Sequence, residues 1–322
     1  MTASDTSKKI PLGISACLIG EPVRYDGGSK HDAFLTDTLG PAFDYVPVCP
    51  EVGCGLSVPR EPMRLVGTPE SNCLVGIKTG TDFTEQMQAF CSRTIEGLRA
   101  RNLHGFIFKA KSPSSGLYRV PLFTPEGDFT AQHTSGLFAR AFVRAFPHLP
   151  CEEDVRLHDP VVRETFIERV FELKRFREEV ESAPSVSALQ AFHAGAKYLL
   201  MAHSPEGLNE LGRLAAGAVS GNLSETVADY AVRLLAVMAE PATVGRHVNA
   251  LQHMQGYFGD RLSAQERDEL AYVLDEYARE QVPLLVPLTL FRHHVFKHQC
   301  DYLMRQHNLC PYPSELMLRY HA

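Results

Sequence analysis

The run IPLGISACLIGEPVRYDGG, residues 10–28, sets the architecture of this chain. It begins as a short apolar stretch, Ile10 to Ala16, and breaks at Cys17 into a polar loop punctuated by Gly and Pro. A short apolar run bounded by turn residues reads as a buried strand. The same design recurs downstream: FDYVPV (43–48) runs into CPEVGCGLSVPREP (49–62), and HGFIFKA (104–110) into KSPSSG (111–116). CLVGIKTG (73–80) reads as a further strand, and TDFTEQMQAFCSRTIEGLRAR (81–101) has the periodicity of an amphipathic helix. Strands separated by helices predict an α/β domain with a mostly parallel, Rossmann-like sheet. Functional groups in such a sheet sit in loops beyond the carboxyl ends of the strands. The Cys17 loop, the CPEVGCG loop and the KSPSSG loop should therefore meet on one edge.

A length of 322 residues predicts two domains, each with its own core. Apolar content of 44% with 22% charged residues is that of an ordinary globular chain, not a disordered or fibrous one. The Met1 to Lys9 segment is polar, and the apolar run behind it is too short for a signal-peptide core. No apolar run approaches the roughly 20 residues that cross a bilayer, so a cytoplasmic protein is the expectation. A net charge of −6 gives no general affinity for phosphate backbones, so any RNA contact must come from a local patch.

Near residue 147 the pattern changes. PHLPCEEDVRLHDP (147–160) is turn-rich, and VVRETFIERVFELKRFREEV (161–180) has a strong helical period. From Ser185 nearly everything reads as helix, so the domains are placed at 1–182 (α/β) and 183–322 (all-α), divided where ESAPS interrupts the pattern.

Reducing conditions make a disulfide framework unexpected for the eight cysteines, which leaves metal binding, catalysis or burial. Cys17, Cys49 and Cys54 lie in the converging loops. Three thiolates without a matching fourth suit an iron-sulfur cluster with one open iron, or a catalytic zinc with a free position. Plain burial is the competing account, because free cysteine packs as a small hydrophobe. Cys73, Cys91, Cys151, Cys300 and Cys310 lie outside these loops and are assigned to packing.

ISACLIGEPVRYDGGSK, PVCPEVGCGLSVPREPMRLV and KSPSSG together resemble the signature segments of the thiouracil desulfidase family, over about residues 10 to 150. AKYLLMAHS, HMQGYF, VPLLVPLTLFRHH and CPYPSELMLR are similar to the YbgA-like helical domain found fused to desulfidase domains, a form that resembles enzymes acting on 4-thiouridine in tRNA. The resemblance implies a [4Fe-4S] cluster held by three cysteines, with an iron that binds the thiocarbonyl sulfur, water replacing that sulfur as hydrosulfide leaves, and no net electron transfer. Cys17 and Cys49 match two cluster ligands. Glu51, in the CPE motif, matches a carboxylate that handles a proton, and Ser112 a serine that positions substrate or water. The family's third cysteine falls at Ser115, whose hydroxyl is no equivalent soft ligand. Cys54, where short family members carry glycine, is expected to replace it, with Cys73 next in line.

Arg24, Tyr25, Asp26 and Lys30 should shape the substrate pocket together with Ser114 and Ser115, and Arg60 and Arg64 add cations near that edge. In the helical half, Lys197, His203, Arg246, Arg292 and Lys297 are candidates for an RNA-binding face, with Tyr198, Tyr257 and Phe258 available to stack on a base. His-rich helices can also bind zinc, but no HExxH or comparable ligand set is visible in the sequence. The expected function is removal of sulfur from 4-thiouridine in tRNA. The alternatives are a desulfidase of free thiouracil and a non-enzymatic zinc or nucleic-acid-binding protein.

Overall fold

The computed structural model describes residues 9–313 together with 316 and 318, so the polar lead Met1 to Lys8 and most of the SELMLR stretch lie outside the described residues. The chain divides into two compact units, Met1–Asp159 and Pro160–Ala322. Among the described residues no helix is long and apolar enough to cross a membrane.

The first unit runs β1 (Ile10–Ser15), β2 (Phe43–Val48), α1 (Pro50–Gly53), β3 (Met63–Gly67), β4 (Asn72–Gly76), α2 (Thr84–Arg99), β5 (Phe106–Phe108), β6 (Val120–Phe123), β7 (Phe129–Thr134), α3 (Leu137–Ala145) and β8 (Cys151–Glu153). One sheet has the order β2-β1-β5-β8, and all three of its pairings are parallel. Register places Ser15 opposite Val48, Ile14 opposite Ile107 and Phe108 opposite Glu153, so the four strands end together. Gly13 in the middle of β1 is required by the close approach of β5: a Cβ there would stand 2.1 Å from the Phe106 ring.

Phe106, Phe108, Phe138 and Phe142 have no exposed surface. Centroids of Phe106 lie 4.3 Å from Phe108 and 4.8 Å from Phe142, which fastens α3 to the sheet. Burial of each such ring contributes about 1.5–3 kcal/mol.

CLVGIKTG departs from expectation. Its strand, β4, belongs to a second sheet of order β4-β3-β6-β7, antiparallel except for the β3–β6 pairing. That placement leaves Cys73 exposed rather than packed, and Cys310 is exposed as well.

The second unit is helical: α4 (Pro160–Phe176), α5 (Val186–His203), α6 (Pro205–Ala216), α7 (Leu223–Val237), α8 (Val244–Gly256), α9 (Ala264–Ala278), α10 (Leu285–Lys297) and α11 (Asp301–Met304). The α4 segment, placed by sequence in the first half, packs with this unit because its apolar face and two fully buried carboxylates find their partners here. Glu172 accepts from His307 Nδ1 at 2.7 Å and pairs with Arg175, and Glu168 lies 3.0 Å from His203 Nε2. Burial pushes the Glu172 carboxyl up, but the charges of His307 and Arg175 outweigh it and hold it below the usual range. Ser204 ends α5 and caps α6, accepting from Gly207 N at 3.3 Å, with Pro205 as the first residue of the new helix.

Candidate active site at the carboxyl edge of the parallel sheet

Four loops leave the ends of β1, β2, β5 and β8, and hydrogen bonds tie them to one another. Ser15 Oγ accepts from Lys109 N at 2.9 Å, and Asp154 Oδ1 accepts from Ala110 N at 2.8 Å. Lys109 Nζ lies 2.9 Å from Asp154 Oδ2. Arg60 joins the β1 and β2 loops: its backbone N–H donates to Tyr25 O at 2.8 Å and its Nη2 to Val23 O at 2.9 Å.

Cys17 and Cys49 stand on adjacent strand ends, half-buried and free of disulfides. Cys49 Sγ donates to Val23 O at 3.8 Å. Burial, followed by the neighbouring Cys49, pushes the Cys17 thiol up to about 11. Burial likewise raises Cys49. Soft thiol donors on two neighbouring loops fit a thiophilic metal group. Cys54 shares the β2 loop, but its sulfur donates to Glu51 O at 3.2 Å and packs in the apolar core with Phe90 and Cys91. Burial and then Cys54 push the Cys91 thiol up to about 11. Cys17 thus feels the neighbouring Cys49, and Cys91 feels Cys54.

Glu51 sits on α1, which begins with Pro50 directly after Cys49. Its side chain is 13% exposed and that of its partner Arg60 is 6% exposed. Oε2 accepts from Arg60 Nε at 2.9 Å and from Nη2. Oε1 accepts from Ser114 Oγ at 2.8 Å and from Ser112 Oγ at 3.5 Å, and the two hydroxyls are 3.0 Å apart. Ser112 also accepts the backbone N–H groups of Ser114 and Ser115 at 3.3 and 3.2 Å, which closes the SPSSG turn. Gly136 lets that turn lie against the start of α3, since a Cβ would stand 2.5 Å from the Ser114 carbonyl carbon.

Ser114, assigned by sequence to substrate, is therefore the hydroxyl directly on the carboxylate, and Ser112 builds the turn beneath it. Ser115 is buried. Lys30 is brought to Cys17 by its backbone N–H, which donates to Cys17 O at 2.9 Å, and its side chain is exposed. Arg24 lies with its guanidinium carbon 5.6 Å from the Tyr25 ring centroid and its Nε 3.5 Å from Asp26 Oδ1. The Gly28 N–H and the Arg24 charge hold the Asp26 carboxyl below its usual range. Arg64 is elsewhere, against Phe123 of the second sheet. Lys109 and Asp154 were not singled out in the sequence. CEED (151–154) reads as part of a turn, although its position after an apolar run and a Pro gives a weak strand signal.

Several helical-half assignments are corrected. His203 is fully buried between Glu240 O at 2.6 Å and Glu168, so RNA has no access to it. Arg246 bonds the His203 carbonyl and lies 3.4 Å from Glu240, and Lys297 is held 2.5 Å from Glu266. Tyr198 and Phe258 are buried, and Tyr257 stacks on Tyr302 at 4.6 Å. Arg292 is half-buried, and Lys197 lines a shallow groove of about 360 Å³ with His193, Asn209 and Arg213.

The edge thus carries two half-buried thiols on neighbouring loops, a carboxylate clamped by Arg60, and two hydroxyls upon that carboxylate, donors of the kind that a soft metal group and a proton-handling site require. The family described as 2-thiouracil desulfurase matches residues 12–154, and DUF1722, a family of unknown function, matches residues 197–313. The chain is 30% identical over 153 residues to the uncharacterized protein YbgA of Escherichia coli (strain K12), covering 47% of this chain and 90% of that one. It is also 30% identical over 108 residues to the uncharacterized protein YbbK of Bacillus subtilis (strain 168), covering 32% and 71%. A solved structure of the [4Fe-4S]-dependent thiouracil desulfidase TudS is similar at 28% identity with a TM-score of 0.38, over 47% of this chain and 95% of that one. Residues 12–154 are a 2-thiouracil desulfurase segment with a DUF1722 segment fused behind it, and the chain belongs to one family with YbgA.

Proposed function

We propose that this chain is a desulfidase that converts the thiocarbonyl of a thiolated pyrimidine to a carbonyl, with 4-thiouridine in tRNA as substrate. The Glu51–Ser114 contact on the edge that carries Cys17 and Cys49 is the observation that supports it most. A [4Fe-4S] cluster would be held by Cys17 and Cys49, with Cys54 as third ligand after its sulfur turns away from the Glu51 carbonyl. Such a group supplies a soft iron that polarises C=S as a Lewis acid polarises C=O.

The chain's own residues do the rest. Arg60 fixes one oxygen of Glu51, which leaves Oε1 to take a proton from the attacking water. Ser114 and Ser112 are spaced to pass a proton along Oε1 and to orient that water. Tyr25, 42% exposed beneath Arg24, offers a flat face for a pyrimidine ring. Oxygen from water replaces sulfur, hydrosulfide leaves, and no electron is exchanged. Lys197 and Arg213, facing the same groove of the helical unit, supply cations for a phosphate backbone.

The occupied state of Arg246 and Lys297 and the burial of His203 favour a second reading, in which the substrate is free thiouracil. Anaerobically reconstituted protein is to be incubated with 4-thiouridine-containing tRNA and, separately, with free 4-thiouracil. Loss of 4-thiouridine by nucleoside mass spectrometry, with stoichiometric iron and sulfide in the protein, is the expected result. Unchanged tRNA with converted free base transfers the activity to the second reading, and protein holding zinc without sulfide overturns both.

A further inference from the structure

Helix α9 begins where α10 ends, and three donors meet there. Glu266 is the third residue of α9 and His294 lies in the last turn of α10; His298 caps α10 one helical turn later. The i, i+4 spacing puts both imidazoles on one face, stacked at 6.0 Å between centroids and 12° between planes. Glu266 Oε1 lies 3.8 Å from His294 Nδ1 and 3.9 Å from His298 Nε2, and one ligand atom from each residue falls within 4.8 Å of the other two.

Both ring nitrogens of His294 and the Nε2 of His298 are buried without a hydrogen-bond partner. His294 itself is only 2% exposed. Buried polar atoms without partners are costly, and a single ion would satisfy one such nitrogen on each ring. The ring of Phe258, with its centroid 6.2 and 6.3 Å from the two imidazoles, walls the site on another side.

We propose that Glu266, His294 and His298 bind one divalent transition-metal ion of the zinc type, which joins the first turn of α9 to the end of α10. Two imidazoles and a carboxylate are the donors such an ion selects. Bond lengths of about 2.0–2.2 Å call for donors roughly 3.4 Å apart in a tetrahedron, so the carboxylate oxygen must close on each imidazole by about half an ångström and the two rings on each other by about 1.4 Å at most, which side-chain torsions supply. The fourth position falls to solvent. Lys297, now on Glu266 Oε1, is an exposed cation at a helix end, and the ion takes its place while the ammonium swings into water. Glu266 Oε2 keeps its bond from Ser263 N at 2.7 Å, so the capping box of α9 survives metal binding. The site lies wholly in the helical unit and does not depend on the desulfidase reading.

Cobalt(II) titration of the full-length apo chain under anaerobic conditions tests this, because cobalt bound by nitrogen and oxygen shows visible d–d bands without the near-ultraviolet sulfur charge-transfer band that cysteine sites give. The expected result is one such ion per chain, displaced by zinc, with zinc raising the unfolding temperature. Glu266→Gln and His298→Gln should each weaken binding by about tenfold or more. Glutamine at position 266 still completes the capping box, so that variant folds. Absence of sulfur-free cobalt bands, or the same affinity in both variants as in the wild type, overturns the proposal.

Discussion

Replacing Arg60 by methionine keeps most of the side-chain volume and removes the guanidinium that holds Glu51. The guanidinium donates twice to Glu51 Oε2, to Val23 O at 2.9 Å and to Ser57 O at 3.2 Å, from a side chain 6% exposed. Removing one partner of a buried pair costs about 3–5 kcal/mol, because the other charge is left unpaired. Glu51 keeps 13% exposure and the hydroxyl of Ser114, so we expect about 2–4 kcal/mol for Arg60→Met. Glu51→Gln leaves an acceptor on the same carbon and should cost about 1–3 kcal/mol. The double variant contains no unpaired charge, so its loss should fall short of the sum by about 1–3 kcal/mol. The chain has no tryptophan, so urea unfolding of the first unit is best followed by hydrogen exchange in peptides from β1, β2 and β5. Additivity within about 0.5 kcal/mol would refute the clamp, since uncoupled sites add.

Other outcomes follow from the same geometry. Cys17→Ala and Cys49→Ala should each abolish bound iron and inorganic sulfide after anaerobic reconstitution; a full complement in Cys54→Ala would remove Cys54 from the ligand set. In Ser114→Ala, turnover should fall by about 10²–10⁴ with iron content unchanged; a normal rate would leave the Glu51–Ser114 contact without a role in proton transfer. For His203, burial lowers the imidazole's proton affinity, but the hydrogen bond and charge of Glu168 with the Glu240 carbonyl outweigh it and raise the folded value above the ordinary one. Stability from the charged pair is then fully present below the unfolded value of about 6.5 and disappears as pH rises through the folded value. Melting of the helical unit should therefore drop across that window and lose this dependence in Glu168→Gln; an identical pH profile in the variant would count against the pair.

The parallel sheet was legible because β1, β2 and β5 are apolar runs that each end in a Gly/Pro loop, and that pattern leaves little freedom in which edge carries Cys17, Cys49 and Glu51. The second sheet was not, since β7 is largely exposed and β3 only half-buried, so neither shows a clean period. Its hairpin signals were nonetheless present: TPES (68–71) joins β3 to β4, and TPEGD (124–128) joins β6 to β7 through Gly127 at φ +104°. Local reading also failed for pairs made only by packing. Nothing adjacent to His203 announces Glu168, 35 positions upstream, and so the helical pattern alone presents this imidazole as a surface cation.

The same limit hid the Glu266–His294–His298 cluster. HHVFKH shows an i, i+4 histidine pair to any reader, but a pair is not a ligand set until the fold lays the first turn of α9 beside it. Residue type and spacing therefore place groups well where the backbone itself brings them together, as at the ends of parallel strands. They place them poorly where helices far apart in sequence must first pack, and in this chain the helical unit is where the structure adds most to the reading of function.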